Sequence, residues 1–566
     1  MTELDAIVGN ASLSKFDVMI IGSGAGGSSV AEVLARFGQK VLVIDAGPNY
    51  WVGLDDPSPG KPTTRFSNDE LKLERRQFIR QDPIVEPRTF RSQDTDGDRT
   101  FTGAVCSIPK TVGGAAVHAD VKTPRFQPTD FQLGTLIGNS VQNATFADWP
   151  VQYAELEPFY AHAEKMIGVQ GLKGADPNEG PRSGEYPMPP GVPMYGPLKI
   201  SGAAKSMGLT AFPYPTAVTS MPYDGRAACN DCGFCGDFGC TINAKGSPAV
   251  TLLRKALLTG NCQLRPETRA IKINVTGNTV TGVDVIAPDG SRQTLTADRY
   301  VLAATAIEDA RLLFLSDPNG LGNSSGLVGR NLMLHYGTQA IGIFDERLHG
   351  DRGRSTTHAF TDFRGVPNDP SRPLGGIVEI GAGYGPLSEA ATYVEDTGKY
   401  GARLKALMRQ SPFRDRVASL LMQGEDAPQV TNRVDLDPAV VDLDGLPVAR
   451  LTYKSHPFET SARDFYSPKM LDLLALAGAK FAFITPTDNV PANSHLIGTL
   501  RMGTDPATSV TDAFGQFHDI GNLYATDSSI WPTSSGYNPI LTIVTVATRC
   551  AGNMVFPGSP EKVLLP

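Results

Sequence analysis

No stretch of the sequence reaches the roughly 18 consecutive apolar residues that a membrane-crossing helix needs. A cationic excess is also missing. The formal charge is -8 and the pI about 5.6, and Lys and Arg form no run dense enough to follow a phosphate backbone, which argues against nucleic acid as a partner. Cysteine is sparse: there are seven in 566 residues, and four of them fall between Cys229 and Cys240. A disulfide framework spread over a secreted domain would not cluster them so, and the thiols point to one local site. The opening residues, MTELDAIVGNASLSK, lack the basic start and apolar block of a secretion signal. The expectation is a cytoplasmic chain by default, with export on a signal-bearing partner as the other route. Internal repeats and low-complexity tracts are absent as well.

What is present is organised around Phe16 to Asp45, FDVMIIGSGAGGSSVAEVLARFGQKVLVID. An apolar strand leads into Gly22-x-Gly24-x-x-Gly27, then a helix with Val30, Val33, Leu34 and Phe37 on one face, then a second apolar strand. Peptide N–H groups and the positive end of the helix can there face a pyrophosphate. Asp45, closing the second strand, stands where a carboxylate accepts hydrogen bonds from an adenosine ribose. The stretch reads as a dinucleotide cradle, and by itself leaves NAD and FAD both open.

Further along, Gly47 to Thr100 is polar and reads as surface loops with short helices. Pro109 to His118, PKTVGGAAVH, follows; its paired Gly113 and Gly114 permit close backbone approach to a ligand. A helix is predicted over 150–169, an extended connector over 184–197, a helix over 252–258, and a β-meander turning at Gly277-Asn278 and Asp289-Gly290. The strand Tyr300 to Ala303 and the helix after it suggest a return to the first sheet. Residues 334–484 mix strands such as Gly375 to Ile380 with helical runs near Arg403 to Met408 and Ser461 to Ala477, and read as the part facing the substrate.

The N-terminal fingerprint, the Val112-Gly113-Gly114 turn, the AATAIEDARLLFLS stretch and the C-terminal HLIGTLRMG and SSGYNPI segments together resemble the glucose-methanol-choline oxidoreductases. VGGxxxH with Thr123-Pro-Arg-Phe126 is similar to the pyranose oxidases, and CxxCGFCxxFGC to the bacterial gluconate, fructose and glucoside dehydrogenases. The resemblance implies an α/β chain: a Rossmann-like FAD-binding domain from residues 14–150, 200–333 and 485–566, and a substrate domain on an antiparallel sheet from 151–199 and 334–484. It implies FAD contacts at Gly22, Gly24, Gly27, Asp45, Ala46, Gly113, Gly114, His118, Ala270, Asp527 and Asn538. His118 falls where some members bind flavin covalently, and Thr305 stands where relatives usually carry Gly.

The implied activity is oxidation of a CH–OH group of a sugar, glycoside, sugar acid or polyol. His495 is the candidate base, since a neutral imidazole takes a hydroxyl proton near pH 7, and Asn538 is the amide that meets the substrate oxygen. A dehydrogenase is expected first. A peroxide-forming oxidase of a glycoside or aminosugar comes next, and a non-redox lyase is the reading from another class.

The cysteines admit three readings. Cys229, Cys232, Cys235 and Cys240 could converge on an iron–sulfur cluster, hold zinc as a knuckle, or stay redox-inactive or disulfide-linked. The first would bring a small exported subunit and a cytochrome acceptor, as in similar dehydrogenases. In those relatives, however, the spacing ends Cys-x-x-x-Cys-Pro, and here it ends Cys235-x-x-x-x-Cys240-Thr. Cys106, Cys262 and Cys550, standing alone, are expected in the core.

Overall fold

The computed structural model describes residues 7–65, 81–236, 238–382, 389–390, 393–394, 397, 400–487 and 489–565. At its centre lies a six-stranded sheet in the order Val8–Gly9, Cys262–Arg265, Val41–Ile44, Val18–Ile21, Arg299–Leu302, Leu523–Ala525. All neighbours are parallel except the first pair. The strands VMII and VLVI are buried at every position, as a parallel sheet covered on both faces requires. Helix Ala25–Arg36 lies on it, and helix Ile540–Val555, buried along most of its length, packs on that helix in turn. Segments from both ends and the middle of the chain therefore share one sheet.

The meander forms as Arg269–Thr276, Thr279–Ile286 and Arg292–Leu295. The long helix runs over Tyr153–Ile167 and ends at Gly168, which takes the left-handed conformation of a helix C-cap. Residues 184–194 form no helix, and Tyr195–Ser206 is helical, so the end of the expected connector is already a helix. The predicted helix near 252 starts with a wide π turn, Ala249–Leu253, before Arg254–Leu258. Helices Ala402–Gln410 and Pro457–Leu476 take the place of the runs predicted around 403–408 and 461–477.

Two further six-stranded sheets build the rest. One, wholly antiparallel, is ordered Ala479–Ile484, Tyr336–Phe344, Val417–Gly424, Val378–Ala382, Thr356–Phe360, Phe212–Pro213. The other runs Ile497–Thr499, Arg330–Met333, Arg433–Val441, Pro447–Thr452, Arg88–Arg91, Phe101–Gly103. It draws Arg88–Arg91 from the polar stretch read as loops, and Phe101–Gly103 from just beyond that stretch. Arg88 and Arg91 are buried there, their charges met by Glu308 at 2.8 Å and Asp94 at 2.7 Å. Buried, paired arginines make a strand look like a loop when only hydrophobicity is read.

The glycine turn is sterically closed. A Cβ on Gly27 would lie 1.9 Å from the Gly22 carbonyl oxygen and 3.0 Å from Ile20 Cγ2. Gly27→Ala is expected to lower stability by about 1–3 kcal/mol, the usual cost of overpacking. Gly184→Ala, with nothing within 4 Å, should leave it unchanged. Urea denaturation of the two variants checks this.

Candidate active site

A cleft with about 1850 Å³ of empty volume runs from the glycine turn to the C-terminal segment. Gly22, Gly24, Asp45, Ala46, Gly114, His118, Ala270, His495 and Asp527 all line it. Gly27 sits one layer behind, under the Gly22 carbonyl. Gly113 turns its N–H away from the cleft to Ser23 Oγ at 2.8 Å. Asn538 stands just outside the lining, next to Pro539, which is part of it. The two glycine turns touch back to back: a Cβ on Gly114 would meet Gly24 Cα at 2.8 Å.

Asp45 binds inside the protein. Its Oδ2 accepts from Ser23 N at 2.9 Å and Ser23 Oγ at 2.5 Å, and its Oδ1 from Gly47 N at 2.7 Å. Burial raises its pKa despite these three donors. Oδ2 thus has both lone pairs engaged, whereas Oδ1 keeps one, with which a ribose hydroxyl can still be accepted. Asp527 likewise has two tasks. It faces the cleft, and it caps the short helix Ser528–Ile530 through Ser529 N at 2.9 Å.

Asp309 was not singled out from the sequence. Its Oδ1 accepts from Ala304 N at 2.9 Å, while Asp527 Oδ2 accepts from Thr305 N at 2.8 Å. Desolvation first, and the neighbouring Asp527 charge second, push the Asp309 pKa well up. Between them the two carboxyls clamp the turn Ala303–Thr305 on the cleft wall. Thr305 has φ 86° and ψ 156°, a region otherwise left to glycine.

At the far end of the cleft the decisive pair is His495 and His335, whose Nδ1 atoms are 2.9 Å apart. His335 Nε2 lies 2.9 Å from the Ser534 carbonyl oxygen. A carbonyl can only accept, so Nε2 of His335 carries the proton and its Nδ1 is a bare acceptor. His495 must then donate from Nδ1, which leaves its Nε2 as an unprotonated lone pair. No hydrogen bond from the described residues engages that atom. Burial, then the His335 and Lys122 charges, depress the His495 pKa well below 6.5. A neutral imidazole with its basic nitrogen fixed by a second histidine is the arrangement of a general base. His335 is missed in the sequence because an isolated His in NLMLHY has no motif of its own.

Asn538 is held just as firmly. Its Nδ2 donates to Glu379 Oε1 at 3.0 Å and its Oδ1 accepts from Tyr214 OH. Glu379 also accepts from Gln423 Nε2 at 2.9 Å and from Lys122 Nζ, which lies 3.2 Å from Asp120. The amide orientation follows, because Glu379 can only accept. The second Nδ2 proton remains for another oxygen.

The description "GMC oxidoreductase" is matched twice, over residues 200–337 and over 428–547. The 2-methyl-1,2-propanediol dehydrogenase of Mycolicibacterium austroafricanum is 30% identical, over 96% of this chain and 96% of its own. This chain belongs to the GMC oxidoreductases. It is also similar to the 6'''-hydroxyparomomycin C oxidase of Streptomyces lividus, 29% identical over 94% of this chain and 90% of that one. The gluconate 2-dehydrogenase flavoprotein of Pantoea cypripedii is 26% identical over 93% and 91%. The chain is thus an oxidoreductase of a flavoprotein family, and FAD is the implied cofactor. The residues fit it: paired glycines bare of Cβ, a carboxylate at the end of the second strand, and an open cleft leading to the base.

The cysteines do not fit a metal centre. Cys229, Cys232, Cys235 and Cys240 are all free thiols. Among the described residues no three His, Cys, Asp or Glu side chains gather to hold an ion. Burial pushes the Cys229 thiol up to about 11 and Cys235 to about 12, away from the thiolate form that ligates. What organises the loop is Lys245, which donates to the carbonyls of Ala119 at 2.8 Å, Cys235 at 2.5 Å and Phe238 at 2.7 Å. Cys106, Cys262 and Cys550 are buried.

Thr305→Gly should relieve backbone strain worth about 1–3 kcal/mol, less the roughly 0.5–1 kcal/mol that added chain entropy costs. A higher urea midpoint with FAD retained is the expected result. His335→Phe removes the acceptor that fixes the His495 tautomer and should lower kcat by about 10- to 100-fold, a part of what a general base supplies. His335→Gln, which keeps an acceptor, should lose less. Because burial depresses the His495 pKa, kcat/KM of the unsubstituted enzyme should hold its plateau below pH 6.5 and fall only where His495 becomes protonated; a pH profile reads both.

Proposed function

We propose that this chain oxidises the CH–OH group of a sugar, glycoside, sugar acid or related polyol, and does so as a dehydrogenase. The observation that carries the reading is the His495–His335–Ser534 chain, which leaves one unprotonated imidazole nitrogen on a residue that lines the cleft. His495 Nε2 takes the hydroxyl proton. The free Nδ2 proton of Asn538 donates to the same oxygen as negative charge develops on it. FAD, when bound, supplies the acceptor for the hydride at N5. When His495 gains the proton, its Nδ1–H still donates to His335, whose own pKa burial lowers, against the pull of the nearby Asp426 charge, so that its Nδ1 stays an acceptor.

Relatives that act, by name, on a branched diol, an aminoglycoside and gluconate support a hydroxyl-rich substrate. Two of the three are dehydrogenases. The oxidase reading rests on the aminoglycoside relative, and a peroxide assay under air separates the two. A small partner subunit and a cytochrome suit a dehydrogenase of the gluconate type. With no metal-holding group among the described thiols, electrons are not routed through the cysteine loop in this reading.

His495→Ala should slow substrate-driven flavin reduction by roughly 100- to 10,000-fold while FAD stays bound. Stopped-flow bleaching of the flavin at near wild-type speed in that variant would overturn the assignment. Absence of any bleaching in the wild-type protein with every CH–OH donor would favour the non-redox lyase.

A further inference from the structure

The antiparallel sheet has two unlike faces. One is sealed: Ala340, Phe344, Val378, Ile380, Leu420 and Met422 pack under helices Tyr195–Ser206 and Pro457–Leu476. Side chains alternate along each strand, so the residues between these point the other way, and Glu379 and Gln423, which hold Asn538, are among them. The strand register then orders that face in rows, since directly paired residues share a side. Gly337 is opposite Gln423, Gln339 is opposite Leu421 and Leu421 opposite Glu379. In the next row Ile341 is paired with Ser419 and with Phe483, and beyond it Ile343 with Val417 and with Phe481.

Chemistry changes across these rows. Next to Asn538 stand Glu379 and Gln423, with Leu421 paired to Glu379 and Gln339 beyond Leu421; farther out come Ile341 and Ile343, half-buried like Leu421, and then two phenylalanines at the free edge. Phe483 is 45% and Phe481 70% exposed. From Glu379 to Phe483 is three strand spacings across and two residues along, roughly 16 Å. Gly337, exposed and without a side chain, lies two residues from His335, at the end of these rows nearest the base. An apolar surface left open and continuous with a reacting centre marks a binding wall.

Resting on the reading of His495 and Asn538 as the reacting end, we propose that this face binds an apolar portion of the substrate. The alcohol oxidised carries an alkyl or aryl body beyond its hydroxylated end, as an alkyl diol or a glycoside with an apolar aglycone does. A bare sugar would leave Ile341, Phe483 and Phe481 wet and their burial unused. The occupant has to be a substrate because the polar rows next to Asn538 and the apolar rows beyond it lie on one continuous face and match one molecule with both ends.

The test is equilibrium binding of redox-inert alkan-2-ones, from butan-2-one to decan-2-one, to the FAD-loaded protein, read by calorimetry or flavin absorbance. Full burial of a methylene is worth about fourfold in affinity. On a wall covered on one side, Kd should tighten about twofold per methylene. Phe483→Ser and Phe481→Ser, both at exposed positions, should flatten the dependence at the long end. A Kd independent of chain length, or an unchanged slope in both variants, overturns the proposal. So does a flat Kd in a protein that self-associates until Phe481 is replaced, which would make the face an interface between copies. A steep slope in Kd with no flavin bleaching by the matching 1,2-diols would leave the wall standing and instead overturn the oxidation reading.

Discussion

The Asp45 carboxylate and the Ser23 hydroxyl hold the cofactor end of the structure together. Ser23 Oγ donates to Asp45 and accepts from Gly113 N, so one hydroxyl joins the first glycine turn, the second strand and the second glycine turn. Gly47 N then fixes the other carboxylate oxygen. If the Ser23 hydroxyl were lost, Gly113 N–H would be left buried and unpaired, at a cost of about 1–3 kcal/mol, and the two turns would lose their only direct tether among these contacts. Because the turns meet at bare Cα atoms, small shifts there would close the cleft.

The opposite wall is built by the same means, with carboxyl groups that accept peptide N–H bonds. Asp309 and Asp527 receive two successive N–H groups from the Ala303–Thr305 turn. That pairing joins the middle of the chain to its C-terminal segment and explains how a threonine is kept in a glycine conformation. The strain is offset by these two hydrogen bonds, made in a buried setting where leaving the peptide N–H groups unpaired would be costly. The family's usual glycine would need no such clamp, so the Thr305 substitution and the acidic pair make physical sense together.

What could be read in the sequence was whatever has a short-range signature. The cradle at Phe16 to Asp45 shows itself because strand, turn, helix and acid are contiguous, and the meander because its turns are Gly-Asn and Asp-Gly pairs. His495 was legible through its resemblance to a family. His335, 160 residues away, was not, since its role exists only once two strands bring Nδ1 to Nδ1. The sheet strands at Arg88–Arg91 were hidden because buried ion pairs erase the apolar signal. The cysteine cluster is a different case. Proximity in sequence left a cluster, a zinc site and free thiols all open; the loop is folded around Lys245, which gathers three carbonyls, and among the described residues no three ligands gather to hold an ion.

The antiparallel sheet shows why stability and chemistry cannot be tuned separately here. Glu379 lies between Val378 and Ile380, and Gln423 follows Met422, so groups that orient Asn538 alternate with groups that fill the core. A slip of one residue in the pairing of Val378–Ala382 with Val417–Gly424 would turn Glu379 under helix Pro457–Leu476, where no cation meets it, and point Ile380 at Asn538. An unpaired buried carboxylate costs far more than the sheet gains elsewhere. The same alternation that builds the reacting end therefore also enforces the register, and with it the sequence of polar and apolar rows that leads away from it.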